Sequence, residues 1–298
     1  MIKVLVTGGS GFFGQGIMKA FTEKGYDVTG TTTRPDGPLI ACDIVDYEAV
    51  DKVINDIDPD IIIHSAALSS VTSGRPIDYY RVNVVGTENV LRAASSRKRR
   101  VILVSTAGVY GNQPTDILTE DLNPAPVHHY GISKFACERL ADIYGYALEI
   151  TIVRPFNIIG TGQKENFIVP KLINAFSTRS PEVRLGNTNV YRDYIDLKTA
   201  SEMLVLITEN TKTAGKILNL CAGRATSLDE LLQIMGNISG YKIEVIVDPA
   251  FVRASEVWRL IGSNHRLVEN SCWITPPNLT AVMEEMMAEC ALQGTSAQ

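Results

Sequence analysis

Tyr130 and Lys134 stand four residues apart in Tyr-Gly-Ile-Ser-Lys, a spacing that puts both on one face of a helix. A phenol with a pKa of about 10 is a poor acid or base at neutral pH, and a neighbouring ammonium favours its ionised form. Upstream, residues 100–106 read as a strand ending in two hydroxyls, Ser105 and Thr106, either of which could hold a substrate oxygen for Tyr130 to protonate. These residue types describe proton exchange at oxygen, the part of a hydride transfer that side chains supply while a nicotinamide serves the carbon. A Tyr-x-x-x-Lys pair alone is as readily a solvated helix face, so the chemistry depends on the elements around it.

A hydride reaction needs a dinucleotide cradle, and the N-terminal segment carries one. Val4-Leu5-Val6-Thr7 is an apolar, strand-like run; Gly8-Gly9-Ser10-Gly11-Phe12-Phe13-Gly14 follows, with a helix expected over 15–24. In the Gly-x-Gly-x-x-Gly string, Gly9 and Gly11 are expected to let the backbone turn sharply toward a pyrophosphate, and Gly14 to let the helix pack closely on its strand. The phosphate charge would meet unpaired N–H groups at the helix start. A second strand over 26–32 ends in Thr33-Arg34, where sites for plain NAD usually place an acid. Arg34 can pair instead with a 2′-phosphate, so the expected cofactor is NADP(H).

The following segments alternate in type. Strands are expected over 39–44, 61–64, 100–106 and 149–153, and helices over 47–55, 83–94 and 130–146. Their nearly continuous apolar content predicts burial on both faces, and so an α/β fold with a Rossmann-type doubly wound parallel sheet. Asp43 closes its strand where a carboxylate could accept from an adenine amino group. His64 reads as a structural hydrogen-bonding residue, and Ala66 and Ala67 leave room for a cofactor. Residues 107–129 form a long polar loop of the kind that usually serves function. Beyond Arg154-Pro155 the rhythm breaks into Gly- and Pro-punctuated pieces, with helices near 169–177, 195–209, 227–238 and 278–290, strands at 182–185, 216–221 and 242–247, and a frayed tail over 292–298. The expected division is a cofactor-binding domain with the catalytic residues over 1–155, and a smaller mixed region over 156–298 that holds substrate and returns some segments to the first.

Composition narrows the partners. With a net charge of −5 and one basic run, Arg97-Lys98-Arg99-Arg100, better suited to a helix carboxyl end, nucleic acid is not expected. Five scattered cysteines lack disulfide or zinc spacing, which points to a reducing cytoplasm and no metal. No apolar run reaches the roughly 18 residues of a membrane span.

At the level of whole motifs the chain resembles the extended short-chain dehydrogenase/reductase family that acts on nucleotide-linked sugars. The resemblance rests on Thr7 to Gly14, Asp43-Ile44, His64-Ser65-Ala66-Ala67, Asn83, Ser105 to Gly111, Tyr130 to Lys134, Arg154-Pro155-Phe156-Asn157, Arg192-Asp193-Tyr194-Ile195-Asp196 and Asn219 to Arg224. It implies catalytic roles for Thr106, Tyr130 and Lys134. It implies cofactor contacts at Gly8, Ser10, Gly11, Phe12, Phe13, Gly14, Arg34, Asp43, Ile44, Ala66, Tyr130 and Lys134. A sugar nucleotide would be held by Ser105, Thr106, Asn157, Asn166, Arg192 and Arg253, the arginines suiting a pyrophosphate. Dehydratases of the family usually carry an acid just after the strand hydroxyl, where this chain has Ala107-Gly108. The implied reaction is therefore NADPH-dependent reduction of a nucleotide-linked 4-keto-6-deoxyhexose, as the C-terminal motifs resemble that branch; a 4-epimerase is the alternative that Ala107-Gly108 resembles, and a non-catalytic nucleotide-binding regulator is a lesser one. The resemblance and the apolar positions of the helices near 83–94 and 133–146 predict a homodimer.

Overall fold

The computed structural model describes residues 1–34, 37–69, 75–251 and 256–296. In chain order its first half comprises β1 (Lys3–Thr7), α1 (Phe12–Glu23), β2 (Asp27–Thr32), β3 (Ile40–Ala41), α2 (Tyr47–Ile57), β4 (Ile61–His64), α3 (Pro76–Tyr79), α4 (Gly86–Ala94), β5 (Arg100–Val104), α5 (His129–Tyr144) and β6 (Glu149–Pro155). The second half comprises β7 (Asn157–Ile159), α6 (Ile168–Ser177), β8 (Glu182–Leu185), β9 (Tyr191–Arg192), β10 (Tyr194–Asp196), α7 (Leu197–Glu209), β11 (Ile217–Leu220), β12 (Thr226–Ser227), α8 (Leu228–Ser239), β13 (Glu244–Val247), β14 (Arg259–Leu260), α9 (His265–Glu269) and α10 (Leu279–Ser296).

Seven strands form one parallel sheet in the order β11-β6-β5-β4-β1-β2-β3. Alternate residues of each central strand feed opposite cores, as the pleat requires. Val4, Val6, Ile61, Ile63, Ile102 and Val104 pack toward α1 and α7, whereas Leu5, Ile62, Val101 and Leu103 pack toward α2, α4 and α5. Both faces being covered explains why β4 and β5 are buried throughout and read as unbroken apolar runs. The strand order reverses beside β1, so the β1–α1 and β4 carboxyl ends flank a crevice where α/β sheets bind ligands.

Beyond Pro155 the chain does two things. It sends α7 back against α1 and adds β11 to the sheet beside β6. It also builds a separate apolar core from α6, α8, α10 and the paired strands β8 and β13, centred on Leu172, Phe176, Leu231, Met235 and Met283. Here too β9 pairs with both β12 and β14, and β7 pairs with β10.

Several boundaries differ from the sequence expectation. The helix expected from residue 83 begins at Pro76 and runs to Ala94 through a π-helical segment, Tyr80–Val85. β3 has two residues rather than six, and α9 was not foreseen. The segment expected to fray after residue 292 continues as helix to Ser296. The basic run behaves as a helix-end cap: Arg99 donates to the Ala94 carbonyl at 2.8 Å and Arg100 to the Ile207 carbonyl at 3.2 Å.

Candidate active site

The glycine turn is built around close backbone contacts. Gly8, not Gly9 or Gly11, has the left-handed conformation, with φ of 74°, and a Cβ there would lie 2.7 Å from the Ala66 Cα. The turn is therefore one residue earlier than the glycine spacing implied, because the Gly11 N–H bonds back to the Gly8 carbonyl at 2.9 Å. A Cβ on Gly14 would fall 2.1 Å from that same carbonyl, so α1 can sit this close only with glycine there. No side chain caps α1 at Gly11. A glycine cradle ending in uncapped helical N–H groups fits the pyrophosphate of a dinucleotide.

The rim of this cradle is fastened by hydroxyls. Ser10 and Thr32 share a hydrogen bond at 2.9 Å, and the Thr32 hydroxyl accepts from the Arg34 backbone N–H at 3.2 Å. Arg34 itself is exposed at the end of β2, as is Asp43, whose carboxylate accepts from the Val45 N–H at 3.0 Å. Ile44 is buried against Gly86, and Phe12 and Phe13 begin α1 half-buried. Ala66 donates its N–H to the Thr7 hydroxyl at 3.2 Å, keeping the end of β4 against the turn.

Beneath that turn runs a buried polar chain. His64 bonds Thr7 through Nδ1 at 2.8 Å and Thr87 through Nε2 at 3.0 Å, and Thr87 donates to the Cys137 sulfur at 3.3 Å. Burial, reinforced by the Lys134 charge, pushes the His64 imidazole down to about 3. Asn83, inside the π-helical segment, accepts from the Leu68 N–H at 2.8 Å and donates to the Ser133 hydroxyl at 2.9 Å. The widened helical turn thus ties the segment after β4 to the helix carrying Tyr130 and Lys134.

The Thr106 hydroxyl stands near enough to the Tyr130 phenol to favour its ionised form. Thr106 also accepts from the Gly108 N–H at 3.1 Å, which fixes it at the start of a short 3-10 turn, Ala107–Val109. Burial raises the Tyr130 phenol to about 12, with Thr106 opposing and Cys137 adding to the rise. Burial lowers Lys134, whose residue is almost wholly enclosed, against opposing contributions from Cys137 and Glu138. The phenol is therefore protonated, and the influence counteracting burial comes from Thr106 rather than from the ammonium expected from the spacing.

The other residues expected to touch substrate are placed unequally. The Ser105 hydroxyl donates to Glu138 at 2.5 Å, and Glu138 in turn accepts two hydrogen bonds from Arg154, at 3.0 and 2.7 Å. This buried cluster ties β5, α5 and β6 together and occupies the Ser105 hydroxyl. Asn157 donates its side-chain amide to the Asp193 carbonyl at 3.1 Å, and Asn166 is exposed in the turn before α6. Arg192 pairs with Glu256 at 3.1 Å in a half-buried position. Arg253 lies outside the described residues.

The long segment 107–129 is pinned rather than loose. Tyr110, fully buried, donates to Asn219 at 2.6 Å; Leu118 accepts from the Ser263 N–H at 2.9 Å and donates its own N–H to the Ile261 carbonyl at 2.8 Å. It therefore couples the Thr106 turn to the C-terminal region. Sequence reasoning missed Glu138 as the partner of Arg154 and His128 as the cap of α5, where His128 Nδ1 accepts from the Gly131 N–H at 2.9 Å. A helix beginning at residue 129 with His where Ser, Thr or Asp is usual is the signal that could have revealed the cap.

A glycine cradle at the turn of a doubly wound sheet, followed by Thr106, Tyr130 and Lys134, has the residue types of a nucleotide-dependent oxidoreductase site. Residues 4–221 match the NAD dependent epimerase/dehydratase family, and the chain belongs to that family, the extended short-chain dehydrogenases/reductases. It is similar to GDP-6-deoxy-D-talose 4-dehydrogenase of Aggregatibacter actinomycetemcomitans, at 35% identity over 96% of this chain and 97% of the relative. It is also similar to GDP-6-deoxy-D-mannose reductase of Pseudomonas aeruginosa, at 28% identity over 72% and 75% of the two chains. Among solved structures, UDP-glucose 4-epimerase of Thermus thermophilus in complex with NAD shares the fold with a TM-score of 0.87, at 25% identity, covering 97% of this chain and 99% of that one.

Proposed function

We propose that this protein reduces the C4 ketone of a GDP-linked 4-keto-6-deoxyhexose with NADPH. The observation that carries the reading is the Thr106–Tyr130 pair at the edge of the cradle, with the phenol held protonated. Such a pair can bind a ketone oxygen and deliver a proton to it as carbon is reduced. When bound, the nicotinamide supplies the hydride. Thr106 would orient the oxygen, Tyr130 would protonate it, and Lys134 would steady the phenol and the cofactor from the next helical turn. Arg192 and Arg253 would hold the diphosphate, with Asn157 and Asn166 along the sugar nucleotide.

The substrate class draws on the two relatives. A dehydrogenase that oxidises the C4 hydroxyl of a 6-deoxyhexose catalyses the reverse of a C4 ketone reduction, so the talose and mannose enzymes describe one reaction class with opposite C4 configurations. Arg34 supports NADPH because it is an exposed cation just after β2, of a type that can pair with a 2′-phosphate. Titration should give tighter binding of NADPH than of NADH, with the preference lost in Arg34→Ala; equal affinities in the intact protein would sink the cofactor assignment.

The second reading, a 4-epimerase, has Ala107-Gly108 in its favour, together with the likeness to a UDP-glucose 4-epimerase. Incubation with GDP-, UDP-, dTDP- and CDP-linked 4-keto-6-deoxy sugars, and separately with their 4-hydroxy counterparts, separates the two. The reductase consumes NADPH in proportion to 4-hydroxy product, whereas an epimerase interconverts two 4-hydroxy sugars without net cofactor use.

A further inference from the structure

We propose that His128 is a positioning residue for Tyr130, an inference that rests on the acid role assigned to Tyr130 above. His128 does two separable things. Its Nδ1 accepts from the Gly131 N–H at 2.9 Å and so caps the helix that Tyr130 opens. Its ring lies nearly parallel to the Tyr130 ring, with centroids 6.1 Å apart and planes 12° apart. Tyr79 also approaches Tyr130, with ring centroids 6.5 Å apart and planes tilted by 51°.

A short hydroxyl or carboxylate cap would satisfy the helix end equally well. What the imidazole adds is its surface. A Cβ built on Gly131 would lie 3.0 Å from the His128 Cε1, and one on Gly108 would lie 3.1 Å from it. The ring therefore fills the space between the turn after Thr106 and the first turn of α5, the two segments that must keep Thr106 and Tyr130 in register. Nδ1 is taken up as the acceptor for the Gly131 N–H, and the face of the ring makes the contact with Tyr130.

The two roles are separated by substitution. His128→Ala removes both; His128→Asn restores a cap without the ring. The inference expects the alanine variant to lower the unfolding midpoint and the asparagine variant to recover it. With the nucleotide-linked keto sugar that the wild type reduces, the asparagine variant should still lose about tenfold in kcat, since small misplacement of reacting groups is costly. Its KM and its NADPH affinity should stay close to wild type. Recovery of wild-type kcat in His128→Asn would overturn the inference and leave His128 as a helix cap only. A readout without turnover covers the case in which no tested sugar is reduced: in a sample labelled at tyrosine ring carbons, with the Tyr130 signal assigned through Tyr130→Phe, that signal should shift in His128→Asn. An unmoved signal would remove the contact on which the inference depends, whatever the reaction proves to be.

Discussion

At the scale of single residues, the site depends on groups whose protonation is set by burial. The Tyr130 phenol, raised to about 12, carries its proton throughout the neutral range and suits the donor role in ketone reduction. Tyr130→Phe should leave NADPH binding and the unfolding midpoint near wild type while lowering turnover by ~10²–10⁴-fold, the usual worth of acid–base assistance. A phenylalanine variant with undiminished turnover would show that another group supplies the proton. His64 carries a different prediction. Its pKa falls from the ordinary 6.5 to about 3 on folding, so the unfolded chain binds a proton in that interval and the folded chain does not. The stabilisation from keeping it neutral is complete above pH 6.5 and is lost progressively as the pH falls toward 3, at up to about 1.4 kcal/mol per pH step. Chemical denaturation between pH 7 and 4 should therefore show a shallower pH dependence in His64→Gln than in the wild type; identical slopes would contradict the assignment.

At the scale of elements, α5 is held in place by more than the face that carries Tyr130 and Lys134. Glu138 and Arg154 are each about 2% exposed at the side chain and join α5 to β6, with the Ser105 hydroxyl from β5 completing the cluster. Removing one partner leaves a buried charge uncompensated, so Glu138→Gln should cost about 3–5 kcal/mol of stability, measured by denaturant titration. The helix, the strand and Arg154-Pro155 were all legible in the sequence, because apolar runs and a Tyr-x-x-x-Lys spacing are local patterns. Their buried connection was not, because Glu138 and Arg154 are joined only by the fold. The same distinction explains the glycine turn. Its existence followed from the Gly-x-Gly-x-x-Gly string, but the position of the left-handed residue followed from Ala66, which approaches Gly8 from the segment after β4. The π-helical segment was likewise invisible, since its widened turn serves a hydrogen bond from Asn83 to Ser133 fifty residues away. Arg192 illustrates the limit for ligand contacts: its type suits diphosphate-binding chemistry and could be read from the chain, whereas its pairing with Glu256 required the arrangement of β9 and the segment before β14.

At the scale of the whole molecule, the helical pair from 76–94 and α5 leaves apolar side chains outside the core. Ile77, Val85, Ile132, Ile143 and Tyr146 are all exposed, and Val85, Ile143 and Tyr146 fall within the two ranges, 83–94 and 133–146, expected to pair subunits. Burial of this face against a second copy should give a sedimentation mass of two chains at micromolar concentration, and Ile77→Glu combined with Ile143→Glu should shift the protein toward one chain; a wild-type mass of a single chain would reject the arrangement. The central claim is that hydride reaches C4 of a sugar nucleotide while Tyr130 protonates the oxygen. It is tested most directly by supplying a GDP-linked 4-keto-6-deoxyhexose with NADPH deuterated at the transferring C4 position of the nicotinamide, and reading the product by NMR. The account predicts one deuterium at C4 of a single 4-hydroxy product for each NADPH consumed. Formation of that product without deuterium at C4, or interconversion of 4-epimers with no NADPH consumed, would contradict it.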